Sequence, residues 1–188
     1  MRRINLALQG GGSHGAFTWG VLDRLLREDG IEIAGISGTS AGALNGAAVK
    51  SGLARGGRQA ARENLDWLWE QVGAVGDVRL GDWFRAFLPI AGIWSGVTER
   101  LAPFSPVDVA SRVFSPYDFG PFYRNPLERV AQAFEFDHVR GPAGPDLYVA
   151  ATNVRTGRIR VFPSHQITPE VILPSACLPT LFPAVALH

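Results

Sequence analysis

Two glycine-rich segments, Gly10-Gly11-Gly12-Ser13-His14-Gly15 and Gly38-Thr39-Ser40-Ala41-Gly42, set the organisation of this chain. Each stands between a short apolar run and a stretch with helical spacing. Glycine accepts left-handed backbone and close approach by neighbours, so such segments mark sharp turns rather than element interiors. Ile4 to Leu8 predicts a buried strand feeding the first turn. Beyond it Phe17, Val21, Leu22, Leu25 and Leu26 recur at three-to-four-residue spacing, which predicts a helix with Ser13 as its cap. Asp29-Gly30 is read as the end of that helix and Ile31 to Ser37 as a second strand. Ala43, Leu44, Ala47, Ala48 and Val49 then make a helix of small residues. Strand, helix, strand, helix at this spacing is a βαβ unit with parallel strands.

The rest of the chain extends this α/β pattern. Arg58 to Val72 carries Leu65, Leu68, Trp69 and Val72 on one helical stripe, and Gly81 to Val97 is aromatic, with Trp83, Phe84, Phe87 and Trp94. That aromatic stretch is read as core or a packed flap, with an apolar binding surface as the alternative. Prolines at 103, 106, 116, 121 and 126 divide the following segment into short pieces. Asp146 to Ala151 reads as a buried strand, Thr156-Gly157 as a turn, Arg158 to Phe162 as its partner strand, and Thr168-Pro169 as a helix start. Asn153 is read as structural.

At 188 residues the chain has room for one domain, and 46% hydrophobic with 19% charged residues suits a packed globular core. Eighteen basic residues against seventeen acidic ones leave a net charge of +1, which argues against a nucleic-acid partner. The single cysteine, Cys177, excludes an internal disulfide and a cysteine-rich zinc site and is read as a small core residue. The amino-terminal residues lack the apolar stretch of a secretory signal, and no apolar run is long enough to span a bilayer, so a cytoplasmic location is expected.

The second glycine segment has the pattern G-x-S-x-G. A serine on a tight strand-to-helix turn projects its hydroxyl out of the sheet, and small flanking residues let strand and helix close upon it. The amide end of the following helix favours a bound oxyanion near Ser40. The first segment exposes backbone N–H groups that can hold a negative oxygen, and through Gly10, Gly12 and Gly15 it also satisfies the dinucleotide pattern G-x-G-x-x-G. A dinucleotide fold wants an acidic residue at the end of the second strand, whereas this chain has Glu32 at its beginning. Neither loop is followed by the Gly-Lys-Ser/Thr of a P-loop. An ordinary α/β-hydrolase places its serine after several strands, while Ser40 follows the second. The late histidines, His138, His165 and His188, lie in no motif marking a catalytic base.

These residues resemble the patatin-like phospholipases, lipid acyl hydrolases with a serine–aspartate dyad. The resemblance runs through Ala7-Leu8-Gln9-Gly10-Gly11-Gly12-Ser13-His14-Gly15-Ala16, Gly20-Val21-Leu22, and Gly38-Thr39-Ser40-Ala41-Gly42. It continues in Ala151-Thr152-Asn153-Val154, Thr156-Gly157, Val161-Phe162, Pro174-Ser175-Ala176-Cys177-Leu178-Pro179 and Phe182-Pro183. It implies a three-layer α/β/α fold with a mainly parallel central sheet and Ser40 as nucleophile. Gly10, Gly11 and Gly12 would form the oxyanion hole, with Gly38, Thr39, Ala41 and Gly42 completing the elbow. His14 stands where the family often carries a basic residue and is a candidate head-group contact.

The family's Asp-Gly-Gly or Asp-Gly-Ala motif follows the segment matching Phe182-Pro183, and the one Asp-Gly here is Asp29-Gly30, in another part of the pattern. The expectation is a single patatin-like domain over residues 1–188 that is incomplete at its carboxyl end. Its aspartate would come from beyond His188 or from a second polypeptide. Because general base catalysis contributes about 10²–10⁴-fold, the chain alone is expected to be nearly inactive. The resemblance further implies a phospholipid or other acyl-ester substrate, transient contact with a membrane surface, no cofactor and no metal. A homo-oligomer is left open. A non-catalytic lipid-binding or interaction module is the alternative, and a Rossmann-like dinucleotide-binding domain is the third reading.

Overall fold

The computed structural model describes residues 1–75 and 127–176. The aromatic stretch from Gly81 to Val97, the proline-rich segment after it, Cys177, Phe182-Pro183 and His188 lie outside the described residues. The elements are β1 (Arg2–Leu8), α1 (Gly15–Leu26), β2 (Ile31–Gly38), α2 (Ala41–Val75), α3 (Leu127–Gln132), α4 (Phe136–Arg140), β3 (Asp146–Thr152), β4 (Ile159–Pro163) and α5 (Pro169–Ala176). Among the described residues four strands form one sheet in the order β1-β2-β3-β4. β1, β2 and β3 are parallel, and β4 returns antiparallel along β3. The mainly parallel α/β architecture expected from the sequence is thus the one found.

Strand parity explains which face holds the core. Leu6, Ile36, Leu147 and Val149 project from one face, and a register shift between Ile4 and Asn5 keeps Ile33 on the same side. Helices α1, α2 and α5 pack there, where Leu22, Leu26, Ala47, Leu65, Leu68 and Ile172 are buried. Burying each of the larger side chains contributes about 1.5–3 kcal/mol. On the other face Asn5, Ala7, Ser37 and Tyr148 are exposed.

The two helices expected at Ala43–Val49 and Arg58–Val72 are the arms of α2. Gly57 adopts φ +77° beside Gly56, which breaks the helical path. The second arm folds back so closely that a Cβ on Gly52 would collide with the Cα of Ala61. Arg58 then donates to the carbonyl oxygens of Leu26, Glu28 and Ile31, satisfying backbone acceptors around the end of α1 and the start of β2. One expectation fails at the start of α1. Gly12–His14 forms a 3-10 turn, and the N-cap is His14 with no side-chain cap bond rather than Ser13.

Lys50, the chain's sole lysine, is buried in the first arm of α2. Its ammonium donates to the carbonyl oxygens of Ala143 (3.2 Å) and Pro145 (2.8 Å), tying the entry to β3 onto the helix. Burial pushes its pKa down, and Asp146 partly offsets this.

Candidate active site

Parallel strands deliver their carboxyl ends to one edge of a sheet. The register pairs Leu8 with Gly38 and Gly38 with Val149, so the glycine loop and the serine turn emerge side by side. The Thr39 amide donates to the Leu8 carbonyl at 3.4 Å, stitching the turn to the end of β1. Ser40 then adopts φ +55°, in the left-handed region that costs an L-residue about 1–2 kcal/mol. A strained serine between strand and helix is the geometry expected from G-x-S-x-G.

The glycines of that motif are required by crowding. A Cβ on Gly42 would collide with the Leu8 carbonyl oxygen, and one on Gly38 would press on the carbonyl of Gly42. The amides of Ala43 (2.9 Å) and Leu44 (3.2 Å) donate to the Ser40 carbonyl, so α2 begins directly behind the serine. Its positive end is aimed at this edge.

Gly10 lies against Ser40. A Cβ there would stand 3.0 Å from the Ser40 Cβ and 3.1 Å from the Thr39 carbonyl oxygen. Gly11 (φ +141°) and Gly12 (φ +57°) follow in conformations that suit glycine and turn successive N–H groups, the kind of concavity that binds an anion. The loop closes through the His14 amide, which donates to the Gly11 carbonyl at 3.1 Å, while His14 Nδ1 lies 3.0 Å from the same oxygen. His14 is exposed at the rim. Gly15, the last glycine of the pattern, is a packing position, where a Cβ would stand 2.7 Å from Ala41 Cβ and 2.8 Å from a Trp69 ring atom.

Two further residues hold this arrangement and were not singled out as site residues from the sequence. Ser175, on α5, accepts the Ser40 amide hydrogen at 2.9 Å and donates to the Ala150 carbonyl at 2.7 Å. Asn45 is buried, donates to the Gly15 carbonyl at 3.0 Å and accepts from the Trp69 indole at 2.9 Å, clamping the start of α1 to α2. The one signal for Asn45 in the sequence is a polar residue within a run of small apolar ones. Ser175 lies inside the late segment Pro174-Ser175-Ala176, with no pattern that points it at Ser40.

The late histidines within the described residues are remote from the serine. α4 precedes β3, and β4 runs back to the opposite edge of the sheet. His138 and His165 therefore lie at the end away from Ser40, where their polar neighbours are Glu135 and Gln166. Asp23 is engaged by Arg62 and Arg27, Asp66 by Trp19 and Asp137 by Arg140, while Asp29 and Asp146 stand at the starts of β2 and β3, the strand ends opposite Ser40. Glu32 pairs with Arg3 at the start of the strands, where no ribose-binding acid would stand. A shallow depression of about 590 Å³ lined by Asn5, Gly35, Ser37, Asp146 and Tyr148 lies on the exposed sheet face rather than at Ser40. Asn153 is structural: its side-chain oxygen accepts from the amides of Arg155 (3.0 Å) and Thr156 (3.1 Å), shaping the β3–β4 turn. Among the described residues no helix is long and apolar enough to cross a membrane.

Comparisons with known proteins place these motifs in context. A family model described as patatin-like phospholipase matches residues 6–187. No curated protein matches the chain. Among solved structures, the heterodimeric ExoU-SpcU complex from the type III secretion system of Pseudomonas aeruginosa is similar at 16% identity and a TM-score of 0.41. The match covers 92% of this chain and 35% of that one, so this chain spans about a third of that protein's length.

Proposed function

The chain belongs to the patatin-like phospholipase family, and on that footing we propose that it is a lipid acyl hydrolase with Ser40 as its nucleophile and the Gly10–Gly12 loop as its oxyanion hole. The observation that carries this reading is the contact of the Gly10 backbone with Ser40 at the carboxyl ends of two adjacent parallel strands.

The local hydrogen bonds divide the work at the site. The Ser40 amide donates to Ser175 and the His14 amide to Gly11, and the oxyanion donors are assigned to the glycine loop beside them. Ser40 Oγ attacks the ester carbonyl while its proton passes to a carboxylate, and the carbonyl oxygen becomes an oxyanion held by the loop amides. Collapse of that intermediate breaks the ester bond, releases the alcohol after protonation and leaves an acyl-Ser40. Water then releases the fatty acid by the same steps in reverse roles. The carboxylate of the dyad is assigned to a segment outside the described residues, because Asp23, Asp66 and Asp137 are engaged by other side chains and Asp29 and Asp146 stand at the starts of β2 and β3, away from Ser40. A phospholipid or another long-chain acyl ester is the proposed substrate.

The test is a fluorophosphonate probe on the full-length protein, with the adduct located by mass spectrometry. Labelling at Ser40 that is lost in Ser40→Ala supports the reading, and absence of any adduct at Ser40 overturns it. The non-catalytic lipid-binding module is favoured by one observation, that no described carboxylate is placed at Ser40, and it predicts lipid binding without labelling.

A further inference from the structure

The turn between β3 and β4 differs in charge from the rest of the molecule. From Asn153 to Arg160 the sequence is Asn-Val-Arg-Thr-Gly-Arg-Ile-Arg, with three arginines and no acidic residue in a chain whose net charge is +1. Arg155, Arg158 and Arg160 are all exposed. The ion pairs among the described residues engage Arg3, Arg24, Arg27, Arg55, Arg62 and Arg140, and leave these three out. The guanidinium of Arg160 instead lies 4.6 Å from the centre of the Phe162 ring. Apolar side chains sit among these charges: Val154 is 67% exposed, Ile159 71% and Val161 55%. A single exposed apolar residue needs no explanation, but a cluster interleaved with cations has the composition of an interfacial anchor.

Its position gives the cluster meaning. β2 ends at Gly38, level with Val149 of β3, and Ala150, Ala151 and Thr152 continue β3 beyond that level. At about 3.3 Å per residue, the hairpin rises roughly 10 Å past the strand end that carries Ser40. The hairpin is braced: the Asn153 amide donates to the Arg158 carbonyl at 2.9 Å and the Gly157 amide to the Asn153 carbonyl at 2.8 Å. Gly157 takes φ +67°, and the Asn153 side chain caps the turn. α1 begins at the same edge of the sheet, and Phe17 in its first turn is 78% exposed.

We propose that the β3–β4 hairpin is a docking element for anionic bilayers: its arginines meet lipid head groups, and Val154 and Ile159 enter the interface, bringing the Ser40 edge onto the membrane. The proposal rests on the lipid-hydrolase reading for its purpose, yet its test does not depend on catalysis. Each arginine near an anionic membrane is worth about 1 kcal/mol, so Arg155→Ala with Arg158→Ala should weaken partition roughly 30-fold.

The measurement is co-sedimentation of the full-length protein, made inert with Ser40→Ala, with phosphatidylcholine vesicles that contain or lack phosphatidylglycerol. Partition should favour the anionic vesicles, fall as salt rises, drop about 30-fold in the double arginine variant, and fall roughly tenfold or more in Val154→Ser with Ile159→Ser. With Ser40 restored, both hairpin variants should keep the parent's turnover of a soluble short-chain ester and its melting temperature. Partition unchanged in both hairpin variants overturns the proposal. So does retention of the hairpin by RNA with no vesicle binding, or a dimer that the hairpin variants convert to monomer. Failure of the parent to turn over any soluble ester would instead sink the hydrolase reading, with the vesicle result standing on its own.

Discussion

Ser175 and Ser40, 135 positions apart in the chain, are joined by a hydrogen bond of 2.9 Å from the Ser40 amide to the Ser175 hydroxyl. The same hydroxyl donates to the Ala150 carbonyl at 2.7 Å, so one side chain fixes the backbone of the proposed nucleophile to the end of β3. Removing it in Ser175→Ala leaves a donor and an acceptor without their partner in a part-buried site, at a cost of about 1–3 kcal/mol. Fluorophosphonate labelling of Ser40 should slow, while Ser175→Thr, which keeps the hydroxyl, should recover much of the rate. Labelling of Ser175→Ala at the parent rate would mean that the elbow holds itself.

The backbone strain at Ser40 can be separated from its chemistry. Both Ser40→Ala and Ser40→Gly remove the nucleophile, but glycine alone accepts φ +55° without strain. Relief of about 1–2 kcal/mol, less the greater unfolded-state freedom of glycine, should leave Ser40→Gly about 0.5–1 kcal/mol more stable than Ser40→Ala. Urea denaturation of the two variants side by side measures this difference, and equal midpoints would contradict a strained elbow.

A crowded glycine and an open one should respond oppositely to alanine. Gly42→Ala drives a methyl into the Leu8 carbonyl and should cost more than about 3 kcal/mol, because strand and helix must move apart. A methyl added at Gly20, inside α1, would meet nothing within 4 Å, so Gly20→Ala should stabilise by roughly 0.5–1 kcal/mol. Thermal melting of both variants checks the pair.

Acid should loosen the α1–α2 interface first at Asp23. A hydrogen bond from Arg62 at 2.6 Å holds this carboxyl below its ordinary range, burial opposes the shift, and Arg27 adds to it. Because the folded state lowers the pKa, the stabilisation is present above the ordinary carboxylate range. It is lost as pH falls through that range to the lowered value. Asp23→Asn should therefore flatten the pH dependence of unfolding below about pH 4. An unchanged acid slope in this variant would place the acid sensitivity elsewhere.

Local chemistry was legible in the sequence, and long-range ties were not. The strand from Ile4, the helix through Leu22 and Leu26, and the strand-to-helix turn at Ser40 follow from apolar period and glycine placement, and the structure forms them there. β3 and β4 appear within a residue or two of their expected limits, and α5 starts at Pro169 as its fixed φ favours. The bond from Ser40 to Ser175 was hidden because it depends on how α5 docks against β3, which no local pattern encodes. Asn45 was hidden for the same reason, since its partners, Gly15 and Trp69, lie on two other segments. Ser13 read as a cap because its residue type suits one, but the glycine loop carries a 3-10 turn further and passes that position to His14.

The burial of Lys50 turns amine chemistry into a conformational probe. With the one lysine of this sequence sealed under two carbonyl oxygens, an adduct at Lys50 requires the helix to release Ala143 and Pro145. Counting adducts by mass over time thus reports how often the core around the entry to β3 opens.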